Sequence, residues 1–130
     1  MIGFKEDTIL LSVPKSGDIR TTKSILTYKS NLTFETLIVP IGFKTDLGSI
    51  PQALQNIFPK DGKAMFGYIL HDWLYFKGSY SQSVCDDILE EAMESLGVTW
   101  WRRKAVRFGL KLGGSIAYNN HRKGKHKWNI

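Results

Sequence analysis

In the first third of the chain apolar residues gather in short runs separated by polar turn sequences; after residue 63 the apolar positions recur at a helical spacing instead. Three runs predict strands: Thr8–Val13 (TILLSV), Ser24–Ser30 (SILTYKS) and Phe34–Pro40 (FETLIVP), each rich in β-branched and aromatic residues. The stretches "PKSGD" and "KSN" between them carry turn chemistry. No helical crossover fits between these runs, so the expected pairing is antiparallel. Residues 41–54 (IGFKTDLGSIPQAL) include Gly42, Gly48 and Pro51, which argue against regular structure. Ile41, Phe43, Leu47 and Ile50 are nevertheless too apolar to sit in solvent, so this segment is expected to be a structured loop folded onto the core.

The remainder predicts helices. Met65, Ile69 and Trp73 recur at a spacing of four, and Leu70 and Leu74 widen the same apolar side, predicting a helix from about Lys63 to Phe76. "KGSYS" interrupts the pattern. A second helix is expected to begin near Ser81 or Ser83; Ser83 with Asp86 three residues on has the form of a capping box, with Asp in place of the usual Glu. Ile88, Leu89, Ala92, Met93 and Leu96 form its apolar face, and Gly97 suits the position just past its end. Thr99 is placed to cap a third helix, from Trp100 to about Tyr118, weakened near Gly113 and Gly114. The expected fold class is α+β: a small N-terminal antiparallel sheet, a structured loop, then about three packed helices. Residues 1–118 form one expected domain and residues 119–130 a basic tail.

Composition adds limits. At 130 residues the chain suits one domain with a sizeable core, and its 42% hydrophobic and 23% charged content is ordinary for a globular protein. No apolar run reaches the length of a membrane span. "MIGFKEDTILL" lacks a basic segment followed by a long apolar stretch, so no signal peptide is expected. A single cysteine, Cys85, excludes an intrachain disulfide and fits a reducing compartment.

The candidate chemistry centres on His71. On a helix, Tyr68, His71, Asp72 and Tyr75 lie three or four residues apart and form a polar stripe. A second helix folded back after a short turn would bring Asp86 or Asp87 toward that stripe. A carboxylate could then hold one ring nitrogen while the other faces a cleft, the arrangement of a base oriented by a third group. Asp72 points about 100° away from His71 around the helix, so it is better placed to bind a hard cation than to orient the ring. A histidine packed in a core with one hydrogen bond is the simpler alternative, and acids in a first helical turn also suit the helix dipole.

Other chemistries fit poorly. One cysteine and three histidines do not supply a structural zinc site. "HD" alone resembles histidine–aspartate phosphohydrolases, which need a further histidine upstream, and none precedes His71. Asp86 and Asp87 beside Cys85 would disfavour its thiolate. Neither glycine-rich phosphate-loop motif is present.

"VPIGFKTDLGSIP", "HDWLY" and "SQSVCDDILEEAM", in that order, resemble the phage and prophage family catalogued as domain of unknown function 1353. The resemblance covers about residues 38–112. Its motifs fall on Thr45, Asp46, Ser49, Ile50, Pro51, His71, Asp72, Tyr75, Asp86 and Met93. It implies a phage origin, and with it the host cytoplasm or the virion, a tail-associated role and phage or host proteins as partners. Locally, H-D-x-x-Y with an Asp on the next helix resembles the active site of phospholipase A2. That resemblance implies His71 as the base activating water, Asp86 as its orienter, Tyr75 as hydrogen-bonding support and Asp72 as a calcium ligand. The flanking half-cystines are missing, and "TDLGSIP" would have to replace the glycine-rich calcium loop, with Asp46 near the cation and Thr45 and Ser49 supporting it. Two functional classes follow: a small hydrolase, or a non-catalytic phage protein whose histidine and aspartates form a structural network.

Charge is uneven. Residues 1–100 hold 9 Lys+Arg against 12 Asp+Glu, whereas residues 101–130 hold 9 Lys+Arg and no acid. Arg103, Arg107 and Lys111, spaced by four, share a helix face that suits an acidic protein neighbour or phosphates. With no recognised reading motif, nucleic-acid binding is expected to be weak, salt-sensitive and non-specific at most.

Overall fold

The computed structural model describes residues 3–4, 11–12, 20–45 and 65–122. Strand β1 is Gly3–Phe4, β2 Leu11–Ser12, β3 Arg20–Thr22, β4 Leu26–Lys29, β5 Thr36–Val39 and β6 Lys44–Thr45. Among the described residues three helices follow: α1 (Met65–Lys77), α2 (Gln82–Ser95) and α3 (Trp100–Arg122). The α+β class expected from the sequence is the one observed.

The strands form two antiparallel three-stranded sheets, ordered β1-β4-β5 and β2-β3-β6, rather than one. Within the first, Leu26 pairs with Val39 and Tyr28 with Leu37; these four residues are buried, while Ile25, Thr36 and Ile38 face outward. This period-two burial is that of a half-buried sheet, and both strands fall within runs that the sequence marks by their β-branched and aromatic residues. Phe34, at the expected start of the third strand, instead closes the preceding turn in a left-handed conformation (φ 58°) with its ring in solvent.

Thr22 joins the two sheets. Its hydroxyl donates to the Pro40 carbonyl (2.7 Å) and accepts from the Phe43 amide (3.0 Å), and its backbone binds both Gly42 and Phe43. Gly42, at φ 90°, supplies the positive backbone angle this tight reversal needs. The clamp turns Phe43 into the core, where its ring meets Trp73 at 5.1 Å and Phe76 at 5.8 Å. The expected loop thus begins with an ordered turn and the short strand β6; its continuation from Asp46, including Ser49, Ile50 and Pro51, lies outside the described residues.

Helices α1 and α2 pack closely at Gly67, where a Cβ would meet the Leu89 side chain at 3.3 Å. The α2 N-cap is Ser81, whose side chain accepts from the Val84 amide; the capping role proposed for Ser83 is therefore corrected. At the other end, Gly97 (φ 82°) donates to the Glu94 carbonyl and Val98 to the Met93 carbonyl, the two bonds of a Schellman motif. Helix α3 runs through Gly113–Gly114 to Arg122, so the first four residues assigned to a tail, 119–122, are helical. The sheet is fastened to α2 by Glu91, which accepts from the Tyr28 hydroxyl (2.7 Å) and the Asn31 amide (3.2 Å). Among the described residues no helix is long and apolar enough to cross a membrane.

A Cβ on Gly97 would meet nothing within 4 Å, so only backbone strain opposes a substitution there. Gly97→Ala is expected to lower stability by about 1–2 kcal/mol in denaturant unfolding, and Gly97→Asn by less. An unchanged Ala variant would show that the α2–α3 corner does not depend on the left-handed residue.

Candidate functional site

The turn at residues 78–81 is short, so α2 returns directly along α1 and brings Asp86, just past its first turn, against the middle of that helix. His71 Nε2 lies 2.8 Å from Asp86 Oδ1, and the Tyr75 hydroxyl donates to the same oxygen at 2.6 Å. Of the two acids offered by the sequence, Asp86 is therefore the partner. Asp87 faces away and is half exposed, pairing with Arg107 at 2.6 Å. His71 and Tyr75 are fully buried and Asp86 nearly so. Because His71 and Tyr75 are four residues apart on α1, one face presents both to one carboxylate.

A carboxylate accepts but does not donate when ionised, so the proton on this contact belongs to Nε2 and the Tyr75 bond belongs to the phenol. Nδ1 is then the basic nitrogen of the ring. The ring is fixed further by Tyr75, whose centroid is 4.1 Å away. Tyr75 in turn meets Tyr118 of α3 edge-on at 5.2 Å, and the Tyr118 hydroxyl donates to the Tyr80 carbonyl at 2.8 Å. The sequence places Tyr118 only near the end of the third helix; its position beside Tyr75 depends on how α3 crosses α1, which local spacing does not reveal.

Asp72 serves a different neighbour. Its Oδ2 accepts from the Thr45 hydroxyl of β6 at 2.5 Å, and both residues are buried. Thr45 thus lies against the α1 stripe. Asp46 and Ser49 lie outside the described residues. Among the described residues, no group of three or more His, Cys, Asp or Glu side chains is arranged to hold a metal ion. Tyr68, also on the stripe, is fully buried, and its hydroxyl has no hydrogen-bond partner among the described residues.

Burial pushes the Tyr68 phenol up to about 12. Burial, then the Asp86 carboxylate, raises Tyr75 further; burial, then Glu91, does the same for Tyr28.

The basic stretch is partly neutralised by α2. Arg107 pairs with Asp87 and lies 3.7 Å from Glu90, and Lys104 binds Glu90 at 2.5 Å. Arg103 turns back to the Val98 carbonyl at 2.8 Å, and its Nε is buried without a hydrogen-bond partner among the described residues. Arg103, Arg107 and Lys111 therefore do not act as one free cationic stripe: Arg107 and Lys111 line an open groove of about 970 Å³ with Ser81, Asp86 and Glu90, whereas Arg103 does not.

These features define a class of small α+β domain, in which a helical hairpin buries a histidine–aspartate–tyrosine network and a strand threonine engages the neighbouring aspartate. The chain belongs to the family described as Protein of unknown function (DUF1353), whose model matches residues 21–109 and so includes every contact just described except those of Tyr118 and the groove-lining Lys111. No match to a curated protein or to a solved structure was found.

Replacing Asp86 by Ala removes the acceptor shared by two buried donors and should cost about 3 kcal/mol of stability, whereas Asp87→Ala removes an exposed pair and should cost under about 1 kcal/mol. Equal losses in thermal unfolding would contradict the division of roles. Stability should also depend on alkaline pH. The folded state holds the phenolic protons of Tyr28, Tyr68 and Tyr75 above the ordinary value of 10.0, so their contribution is complete below that pH and is lost as pH rises through the raised values, about 12 for Tyr68 and higher for the other two. Tyrosinate absorbance should accordingly appear together with unfolding; full tyrosine ionisation in a still-folded protein would refute this.

Proposed function

We propose that His71, Asp86 and Tyr75 form the general-base site of a small phage-encoded hydrolase. The observation carrying this reading is the hold on Nε2: Asp86 fixes the ring and the tautomer, so that Nδ1 is the nitrogen able to take a proton. In such a reaction Nδ1 removes a proton from water while the water oxygen bonds to the substrate carbonyl carbon. The proton then passes to the leaving group as its bond breaks. Asp86 stabilises the transient imidazolium, and Tyr75 limits the rotation of Asp86. The local resemblance to phospholipase A2 supports an ester as substrate. A calcium ion near Asp72 belongs to the proposal as well, with Asp46 as its further ligand. The motif resemblance supports a phage origin, the host cytoplasm or the virion as the place of action, a tail-associated role, and phage or host proteins as partners.

A second reading is favoured by one specific observation: His71 has no exposed surface. In this reading the same contacts form a structural lock between helices, and the protein works as a non-catalytic virion or host-interaction component.

The two readings separate experimentally. Hydrolysis of short-chain p-nitrophenyl esters and of phospholipid vesicles would be measured with calcium and with chelator, for the natural protein and for His71→Gln. The hydrolase reading expects activity that falls about 100-fold or more in a variant that still folds. Absence of hydrolysis on every substrate, with a large drop in melting temperature for His71→Gln, would establish the structural reading instead. Activity indifferent to chelator would remove the cation alone.

A further inference from the structure

We propose that the free edge of β5 takes up an extended peptide carrying an acidic side chain, which adds a strand beside β5 and reaches Lys77. Among the described residues β5 ends its sheet, with β4 on one side and no strand on the other. The Ser30 amide bonds the Glu35 carbonyl, which makes that pair, and by alternation Tyr28–Leu37 and Leu26–Val39, the hydrogen-bonded pairs of the ladder. The N–H and C=O groups of Thr36 and Ile38 therefore point away from β4. Among the described residues, no backbone bond to either residue occurs outside the ladder. Two outward donor–acceptor sets, one alternation apart, form a template for an added strand.

What lies beside this edge suits a peptide. A groove of about 250 Å³ runs between β5 and the last turns of α1, lined by Leu37, Ile38, Trp73, Leu74, Lys77 and Tyr80 among others. Leu37 points inward and Ile38 outward, so a groove touching both follows the edge itself. Its size is below that of typical small-molecule sites and fits side chains of a bound strand. Lys77 lies 5.6 Å from the Trp73 ring centroid and makes no ion pair among the described residues. An aromatic wall with an unneutralised ammonium favours one apolar and one carboxylate side chain. Glu35 at the strand's beginning disfavours a uniformly acidic peptide. Ile25, Ile38 and Ile41, at or beside this edge, are all more than half exposed.

The test uses a terminally blocked peptide of alternating valine and threonine with one central glutamate, and the same peptide with glutamine. Amide exchange and NMR shifts are followed in the full chain. The expected result is saturable binding with new protection at Thr36 and Ile38, about 3-fold weaker for the glutamine peptide. Ile38→Pro removes an outward donor but no ladder bond, since the strand already holds Leu37 extended; it should weaken binding more than 10-fold at an unchanged melting temperature. Lys77→Glu serves as the second variant and should erase the preference for glutamate even if the proline variant fails to fold. Unperturbed Thr36 and Ile38 at millimolar peptide, or binding that persists in Ile38→Pro, would overturn the proposal. Protection of the same amides that rises with protein concentration alone would also overturn it, by showing a second copy of the chain on that edge.

Discussion

A carboxylate taken out of water must have its acceptor capacity filled, and the requirements of Asp86 shape the helical half of this protein. One oxygen receives both His71 and Tyr75, so α2 is fixed against α1 in translation along the axis and in rotation about it. A shift of one residue on either helix would leave a buried charge facing apolar neighbours. Gly67 lets the backbones come close enough for the bonds to form, and Tyr118 brings α3 against the same tyrosine. One side chain near the start of α2 thereby ties three helices to a common geometry.

The sheet half is attached through the next residue in sequence. Successive residues on a helix diverge by about 100°, so His71 and Asp72 face different structures. His71 reaches α2, and Asp72 reaches Thr45 on β6. Thr22 sets the position of β6 by holding the reversal at residues 40–43, and this also places Phe43 against Trp73 and Phe76. The histidine–aspartate pair is thus a junction with one arm to the helical hairpin and one to the strands. This explains why two ionisable residues stand together inside an otherwise apolar helix.

Much of this was legible in the sequence because it depends on local spacing. Apolar positions at intervals of four located α1 and α2, and the shortness of "KGSYS" required an antiparallel return that put Asp86 near His71. What escaped depends on distant partners. Strands β1, β3 and β6 have only two or three residues each, too few to show alternation, and they exist because neighbouring strands supply their bonds. The division into two sheets follows from the Thr22 clamp, whose partners lie about twenty positions away. Ser81 and Ser83 both have capping chemistry, and the first is chosen by where the turn ends. Gly113 and Gly114 lower helix propensity without ending α3. Arg103 fits a cationic stripe by spacing, yet its guanidinium reaches back to Val98, a contact set by the corner at Gly97.

The polar links span very unequal stretches of chain: 15 positions between His71 and Asp86, 27 between Thr45 and Asp72, and 63 between Tyr28 and Glu91. Closing the longest costs about 1 kcal/mol more chain entropy than closing the shortest. The helical hairpin is therefore the cheapest part to assemble and the natural nucleus, with its buried charge already matched before the strands arrive. Asp72 and Glu91 then wait on its surface as two polar landing points, and the N-terminal strands dock last, guided by acceptors that the nucleus has already placed.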